Sequence, residues 1–275
     1  PYAVNEGGGI PIEAAGTLTY LLGIGEKGRL QLEIEIKGTS AHASTPWQGT
    51  NALFGLSEVV KRIEAYEAER DTSTSLFDHL STFAIEDKPS PENIDQIIAD
   101  NEETQPRFAS IMKALSRMTI TPTMIQGGIK SNSVPESVRL TCDVRTLPHQ
   151  DEAYVRKELD RILDGSPGVE IEIDYMSMPN SSPFETDFAK RIQISTANAL
   201  QRDDIQWVPS LTTGFTDSRF TRNLGTTTYG MVGSHPDDDP MISFVHGTNE
   251  SVGIRSLISG TRIMLALAYD LLAVK

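Results

Sequence analysis

Four short segments bring together residue types that can do chemistry. Glu6 follows an apolar strand-like run and precedes Gly7, Gly8 and Gly9. Glycine removes steric bulk, so a carboxylate at such a strand end can approach a metal or a ligand closely, although a glycine turn with an incidental acid gives the same pattern. His42 lies in Gly38-Thr39-Ser40-Ala41-His42-Ala43-Ser44-Thr45-Pro46. A loop histidine there can donate a hydrogen bond to a developing oxyanion, or simply cap a turn or face solvent. Asn132 opens Asn132-Ser133-Val134-Pro135, and Arg145 lies in Asp143-Val144-Arg145-Thr146-Leu147-Pro148. An arginine on a strand can grip a carboxylate with two parallel bonds, or form a surface ion pair with Asp143. The fourth segment holds Thr216, Asp217 and Arg219, then an Asp237-Asp238-Asp239 loop, then His246-Gly247-Thr248-Asn249-Glu250. A neutral imidazole beside carboxylates is a common zinc environment, and equally a structural hydrogen bonder before a helix.

The elements that must position these residues follow from periodicity. Leu30, Leu32, Ile34 and Ile36 alternate with polar residues, which predicts a half-buried strand. Leu53, Leu56, Val60 and Ile63 recur at helical spacing behind a Gly49-Thr50-Asn51 start. A polar stretch over about residues 67–116, broken by Pro89 and Pro91, reads as a partly helical insertion. Strands follow near 120–129 and through Val138, Leu140, Cys142 and Val144, with Arg139, Thr141, Asp143 and Arg145 on the opposite face. Val155, Leu159 and Ile162 mark a helix with Asp151 at its start, and Val169, Ile171, Ile173 and Tyr175 a last strand. The order strand, helix, strand, strand, helix, strand predicts a ferredoxin-like α+β sandwich over residues 28–177, inserted into an α/β domain made of residues 1–27 and 178–275.

Composition narrows the function classes. The formal net charge of −14 repels phosphate backbones, so no nucleic-acid partner is expected. No apolar run reaches membrane-spanning length, so no membrane partner is expected either. A single cysteine excludes an intrachain disulfide and thiolate metal clusters, and is compatible with a cytoplasmic location, which is the expectation.

Taken in order, Glu-Gly-Gly, His-Ala-Ser-x-Pro-x-x-Gly-x-Asn-Ala, Asn-x-Val-Pro, Asp-x-Arg-x-Leu-Pro, Gly-x-Thr-Asp-x-Arg and His-Gly-x-Asn-Glu make a pattern across nearly the whole chain. It resembles the cocatalytic zinc peptidases, the family of aminoacylase, glutamate carboxypeptidase and succinyl-diaminopimelate desuccinylase. The insertion resembles the carboxypeptidase S-like branch. The resemblance implies that Glu6 and His246 bind different zinc ions of a two-zinc centre and that Glu250 supports them from behind. It implies that His42 reaches a neighbouring subunit's site in a homodimer formed by the inserted domain. It places Asn132, Arg145, Thr216, Asp217 and Arg219 beside a peptide or N-acyl amino acid whose amide bond is hydrolysed. The family's histidine, bridging aspartate and Glu-Glu pair are not matched here. Glu102-Glu103 is followed by Thr104-Gln105, which does not fit. The expectation is therefore a chain cut from a longer enzyme, inactive alone and poor at holding zinc, with Glu6 and His246 near a common cleft. Two rival readings are a non-catalytic dimerisation or ligand-binding module, and an amidase acting on non-peptide amides.

Overall fold

The computed structural model describes residues 1–166, 168–238, 243, 245 and 247–273, the side chain of Tyr175 excepted. Strands β1 (Tyr2–Asn5), β2 (Ile10–Ala14) and β3 (Thr17–Glu26) open the chain, followed by β4 (Gly28–Lys37), the short β5 (Ala41–His42) and α1 (Ala52–Glu64). A 3-10 segment (Ser75–Phe83), α2 (Ile94–Asn101) and α3 (Pro106–Leu115) come next. Then follow β6 (Thr119–Gly127), β7 (Ser133–Val134), β8 (Ser137–Thr146), α4 (Glu152–Leu163) and β9 (Val169–Ser177). The last stretch holds β10 (Asn180–Ser181), α5 (Asp187–Leu200), β11 (Gln206–Thr212), α6 (Ser218–Asn223), β12 (Thr227–Gly230) and α7 (Ile254–Leu272).

These elements divide into two compact units. The second comprises Gly28–Glu69 and Arg117–Pro179. Its sheet runs β6-β8-β4-β9 with every pair antiparallel, and α1 and α4 cover one face. That is the ferredoxin-like arrangement expected from the periodicity. Leu30, Leu32, Ile34 and Ile36 of β4 and Val138, Leu140, Cys142 and Val144 of β8 are all buried with Leu56, Val59, Leu159 and Ile162 of the two helices. Burying each such side chain stabilises the fold by roughly 1.5–3 kcal/mol. The helices start where side-chain oxygens accept otherwise unpaired amides: Asn51 Oδ1 takes Leu53 N–H at 3.0 Å and Asp151 Oδ1 takes Tyr154 N–H at 2.9 Å. Burial pushes the Cys142 thiol up to about 12. We expect iodoacetamide at pH 8 to leave Cys142 unmodified in the native chain and to modify it once denaturant opens this unit. Mass spectrometry reads the adduct, and labelling of the native chain would show that this face of the sheet is open.

The first unit comprises Pro1–Lys27, Arg70–Ser116 and Asn180–Lys275. β3 is the hub of its six-stranded sheet among the described residues: β11 runs parallel to it, and β2, β12 and β10 run antiparallel. β1 pairs in parallel with β12. This unit corrects the sequence expectation at the insertion. Residues 70–116 do not belong with the ferredoxin-like unit. Leu76, Phe77, Leu80 and Phe83, Ile94, Ile97 and Ile98, and Phe108, Met112 and Leu115 share one core with Leu18, Leu22, Phe188, Val208 and Ile263. The physical reason is that helical spacing shows which face of a segment is apolar, but not which surface that face will meet. Among the strands not read from the sequence, β3 and β11 have clear physical reasons. β3 is buried along nearly its whole length, so it shows no alternation. β11 contains Pro209, which is tolerated because, among the described residues, β11 pairs with β3 alone.

Among the described residues no helix is long and apolar enough to cross a membrane.

Candidate active site

In the second unit, the His42 segment folds as a small ladder. β5 pairs with β7 so that His42 faces Ser133, and Ala43 N–H donates to Asn132 O at 3.0 Å. The structure thus brings His42 and Asn132 together from segments ninety residues apart. The His42 ring is exposed, but its orientation is set. Nδ1 accepts Ser44 N–H at 3.2 Å and lies 2.7 Å from Ser44 Oγ. A nitrogen that accepts an amide proton carries none in the neutral ring, so the proton of neutral His42 sits on Nε2. Nε2–H of this exposed residue is then a donor with no hydrogen bond among the described residues.

Arg145 lies on the half-exposed face of β8, opposite Cys142, as alternation requires. Its Nε donates to Asp143 Oδ1 at 2.5 Å and a second nitrogen to Asp143 Oδ2 at 3.2 Å. Arg29, its cross-strand neighbour, donates to the same carboxylate at 2.9 Å. Asp143 therefore bridges two guanidiniums, and the ion pair foreseen as the bland reading is present. Arg145 Nη1 remains, buried and without a hydrogen-bond acceptor among the described residues.

In the first unit, Glu6 stands exposed just past β1. What puts it there is a crossing of backbones that glycine alone permits. A Cβ on Gly8 would lie 2.2 Å from Gly230 O and 2.5 Å from Gly23 N, and one on Gly23 would lie 2.3 Å from Gly7 O. The chain after Glu6 therefore passes directly over β3 and β12, held by Gly9 N–H to Leu21 O at 2.8 Å and Val232 N–H to Gly8 O at 3.1 Å. Asn5 Nδ2 donates to Ser218 Oγ at 3.2 Å, which joins this strand end to the 216–219 loop.

Within that loop the three expected residues divide. Thr216 is buried and turned inward, its N–H and Oγ1 both donating to Glu26 Oε2 at 2.8 and 2.7 Å. Asp217 is 83% exposed at its side chain. Arg219 lies against the rings of Phe215 and Phe220, at 3.8 and 4.1 Å from their centroids, and donates to Thr216 O at 2.7 Å. Two aromatic contacts hold its planar cation in one orientation. Glu26, which anchors the loop, was missed by sequence reasoning, because an acid and a lysine between two strands look like a solvated turn.

His246 lies outside the described residues, as does Asp239, so the expected approach of Glu6 to His246 falls outside them too. Glu250 is exposed ahead of α7. Asp237 and Asp238 serve that helix: Asp237 pairs with Arg255 at 2.7 Å, and Asp238 accepts Ser256 N–H at 2.6 Å. The Ser256 hydrogen bonds hold the Asp238 carboxyl below its usual range. Among the described residues no three potential ligands gather to hold a metal ion. Glu6 is a single carboxylate where a zinc site takes three protein ligands, so these residues alone do not fit a zinc centre.

Residues 24–167, just over half of the chain, match the family profile of the M20 peptidase dimerisation domain. The chain belongs to the M20 peptidase family. Similar curated proteins include an N-fatty-acyl-amino acid synthase/hydrolase of Homo sapiens, 23% identical over 91% of this M20 chain and 50% of its own length. Carboxypeptidase S of Saccharomyces cerevisiae is 24% identical over 89% and 48%. This M20 chain thus spans about half the length of the curated relatives it matches. The fold is shared with the M20 family metallo-carboxypeptidase Sso-CP2 of Sulfolobus solfataricus, at a TM-score of 0.61 and 17% identity over 90% of this chain and 59% of that one. It is also shared with the dipeptidase Dug1p of Saccharomyces cerevisiae, at a TM-score of 0.60 and 14% identity over 97% and 56%.

Proposed function

We propose that the complete protein carrying this chain hydrolyses the amide bond of a peptide or N-acyl amino acid, as a homodimer with a two-zinc centre at each site. The observation that carries the reading is His42. It is an exposed histidine whose Nδ1 is occupied by Ser44 N–H, which leaves Nε2–H as its donor, beside Asn132 and inside the M20 dimerisation-domain match. A donor fixed in advance costs no reorganisation when negative charge develops on a carbonyl oxygen.

The remaining roles follow from chemistry. Arg145 Nη1, a donor without an acceptor among the described residues, suits a substrate carboxylate or carbonyl, since such donors are rarely left unpaired. Arg219, fixed by its aromatic neighbours, and the exposed Asp217 suit a role beside the substrate. Glu6 and His246 each contribute to a metal centre whose other ligands, with the general base, come from the rest of the protein; Glu250 supports it. β6, an edge strand with Met124 and Ile125 exposed, is the pairing edge for the homodimer.

A ligand count provides the test. Purified as these 275 residues, the chain should hold less than one tightly bound zinc and show no turnover on a panel of dipeptides and N-acyl amino acids. The complete protein should hold two and hydrolyse at least one panel member, losing activity to a chelator. Two tight zincs with full turnover in the 275-residue chain would overturn the assignment of the missing ligands. A complete protein without metal and without turnover would overturn the enzymatic reading.

A further inference from the structure

Glu26 is fully buried at the end of β3, and its two oxygens make three contacts. Oε2 accepts both Thr216 N–H and Thr216 Oγ1–H, at 2.8 and 2.7 Å, and Oε1 accepts Asn180 Nδ2–H at 2.9 Å. Asn180 is itself fixed in direction. Its Oδ1 accepts from Arg222 Nη1 at 2.9 Å, while the other Arg222 nitrogens donate to Thr228 O of β12 at 3.2 and 3.0 Å. A guanidinium donates and never accepts, so Asn180 must present its oxygen to Arg222 and its amide hydrogens to Glu26. A backbone N–H donates too, so Thr216 cannot reverse its half either. Both ends of the Glu26 side chain therefore have to be acceptors. A carboxylate meets that demand, and a carboxamide of the same shape places an N–H against a donor at one end or the other.

The next residue braces the same loop from its other flank. Lys27 N–H donates to Thr212 O at 3.1 Å, and the buried Lys27 Nζ donates to Ala114 O at 2.6 Å, in the last turn of α3. The end of β3 thus grips the segment between Thr212 and Thr216 at both ends and ties it to the helical insertion.

We propose that Glu26 is a positioning residue for hydrolysis: it holds Thr216 so that Asp217 and Arg219 are presented to substrate in one fixed geometry. This rests on the reading that the 216–219 loop flanks the substrate. Glu26 touches neither substrate nor reacting atoms in this role, so its removal moves binding more than the chemical step.

The test has two arms. In the 275-residue chain, Glu26→Gln should speed hydrogen exchange at the Thr216 amide by about 100-fold, with the amides of β4 and β8 unchanged. In the complete enzyme it should raise KM by about tenfold or more while kcat falls less, with metal content unchanged. Ile192→Val, a core change that lowers the melting temperature without touching the loop, should leave KM alone. An unchanged Thr216 amide overturns the proposal. So does a freed amide with unchanged KM when Arg219→Ala raises KM. If neither Glu26→Gln nor Arg219→Ala changes KM, the loop does not flank the substrate, and the positioning role falls with that reading. Should Glu26→Gln fail to fold, Thr216→Val removes one of the three contacts and is read the same way: faster exchange at residue 216 with a raised KM supports the brace, and unchanged exchange overturns it.

Discussion

Replacing His42 with alanine should lower the turnover of the complete enzyme by about 10²–10³-fold, the usual cost of losing one oxyanion donor, or roughly 3–4 kcal/mol of barrier. The same change should move the stability of the ferredoxin-like unit by no more than about 0.5 kcal/mol. The reason is that the residue is exposed and, among the described residues, its side-chain hydrogen bonds go to Ser44. An effect on rate without an effect on melting separates a chemical role from a turn-capping one. A second step asks whose site the histidine serves. Glu6→Ala should also be inactive alone. If His42 acts across a two-fold dimer, mixing and re-forming dimers of His42→Ala and Glu6→Ala restores about a quarter of the wild-type turnover, because half the dimers are mixed and each mixed dimer has one intact site. If His42 serves its own subunit, every site in the mixture lacks one residue and turnover stays at the background of the single variants.

The second large effect is on stability. Gly8→Ala should cost about 4 kcal/mol or more, because its Cβ would fall 2.2 Å from Gly230 O and 2.5 Å from Gly23 N, and backbone on a central strand cannot give way as a flexible side chain can. At about 2–4 °C per kcal/mol for a domain of this size class, the first unit should melt about 10 °C lower or fail to fold. Gly16→Ala is the comparison. Gly16 has φ +79° but nothing within 4 Å of the added carbon, so it carries only the left-handed penalty of about 1–2 kcal/mol. Calorimetry on the two variants decides between steric crossing and backbone conformation. Equal losses would mean that the Gly8 crossing can open at little cost.

These two sites also show what could and could not be read in the sequence. The strands β4 and β8 and the helices α1 and α4 each bury one face, so their side chains alternate or recur with the element's own period, and the ferredoxin-like order was legible from them. β3 buries both faces and so loses the pattern that would announce it. The three glycines after Glu6 were visible, and were read as clearance for a ligand; the structure shows them first as clearance for Gly23 and Gly230, on strands that only the fold brings near. The ownership of the insertion was hidden for a similar reason. Phe108 and Met112 have the spacing of a buried helix face whichever core receives it, and they join that of the first unit. His42 was read as a loop residue and lies instead in the short strand β5, and its meeting with Asn132 depends on a ladder between β5 and β7 that neither segment signals alone. Glu26 was not singled out, because its partners are Asn180 and Thr216, more than 150 positions further along.

Because residues 70–116 leave one unit and enter the other, a ribosome delivers the two cores in an interleaved order. β4 waits for β8 and β9, yet the ferredoxin-like sheet has all its strands as soon as β9 emerges. The other core cannot close then. Leu76, Phe108 and Met112 have been synthesised long before Val208 and Ile263 exist to cover them. The entropic cost of such distant closures grows only with the logarithm of the intervening length, so the finished protein loses little stability by it. The nascent chain bears the consequence instead: an apolar helical segment that waits for Val208 and Ile263 while the ferredoxin-like unit is being made.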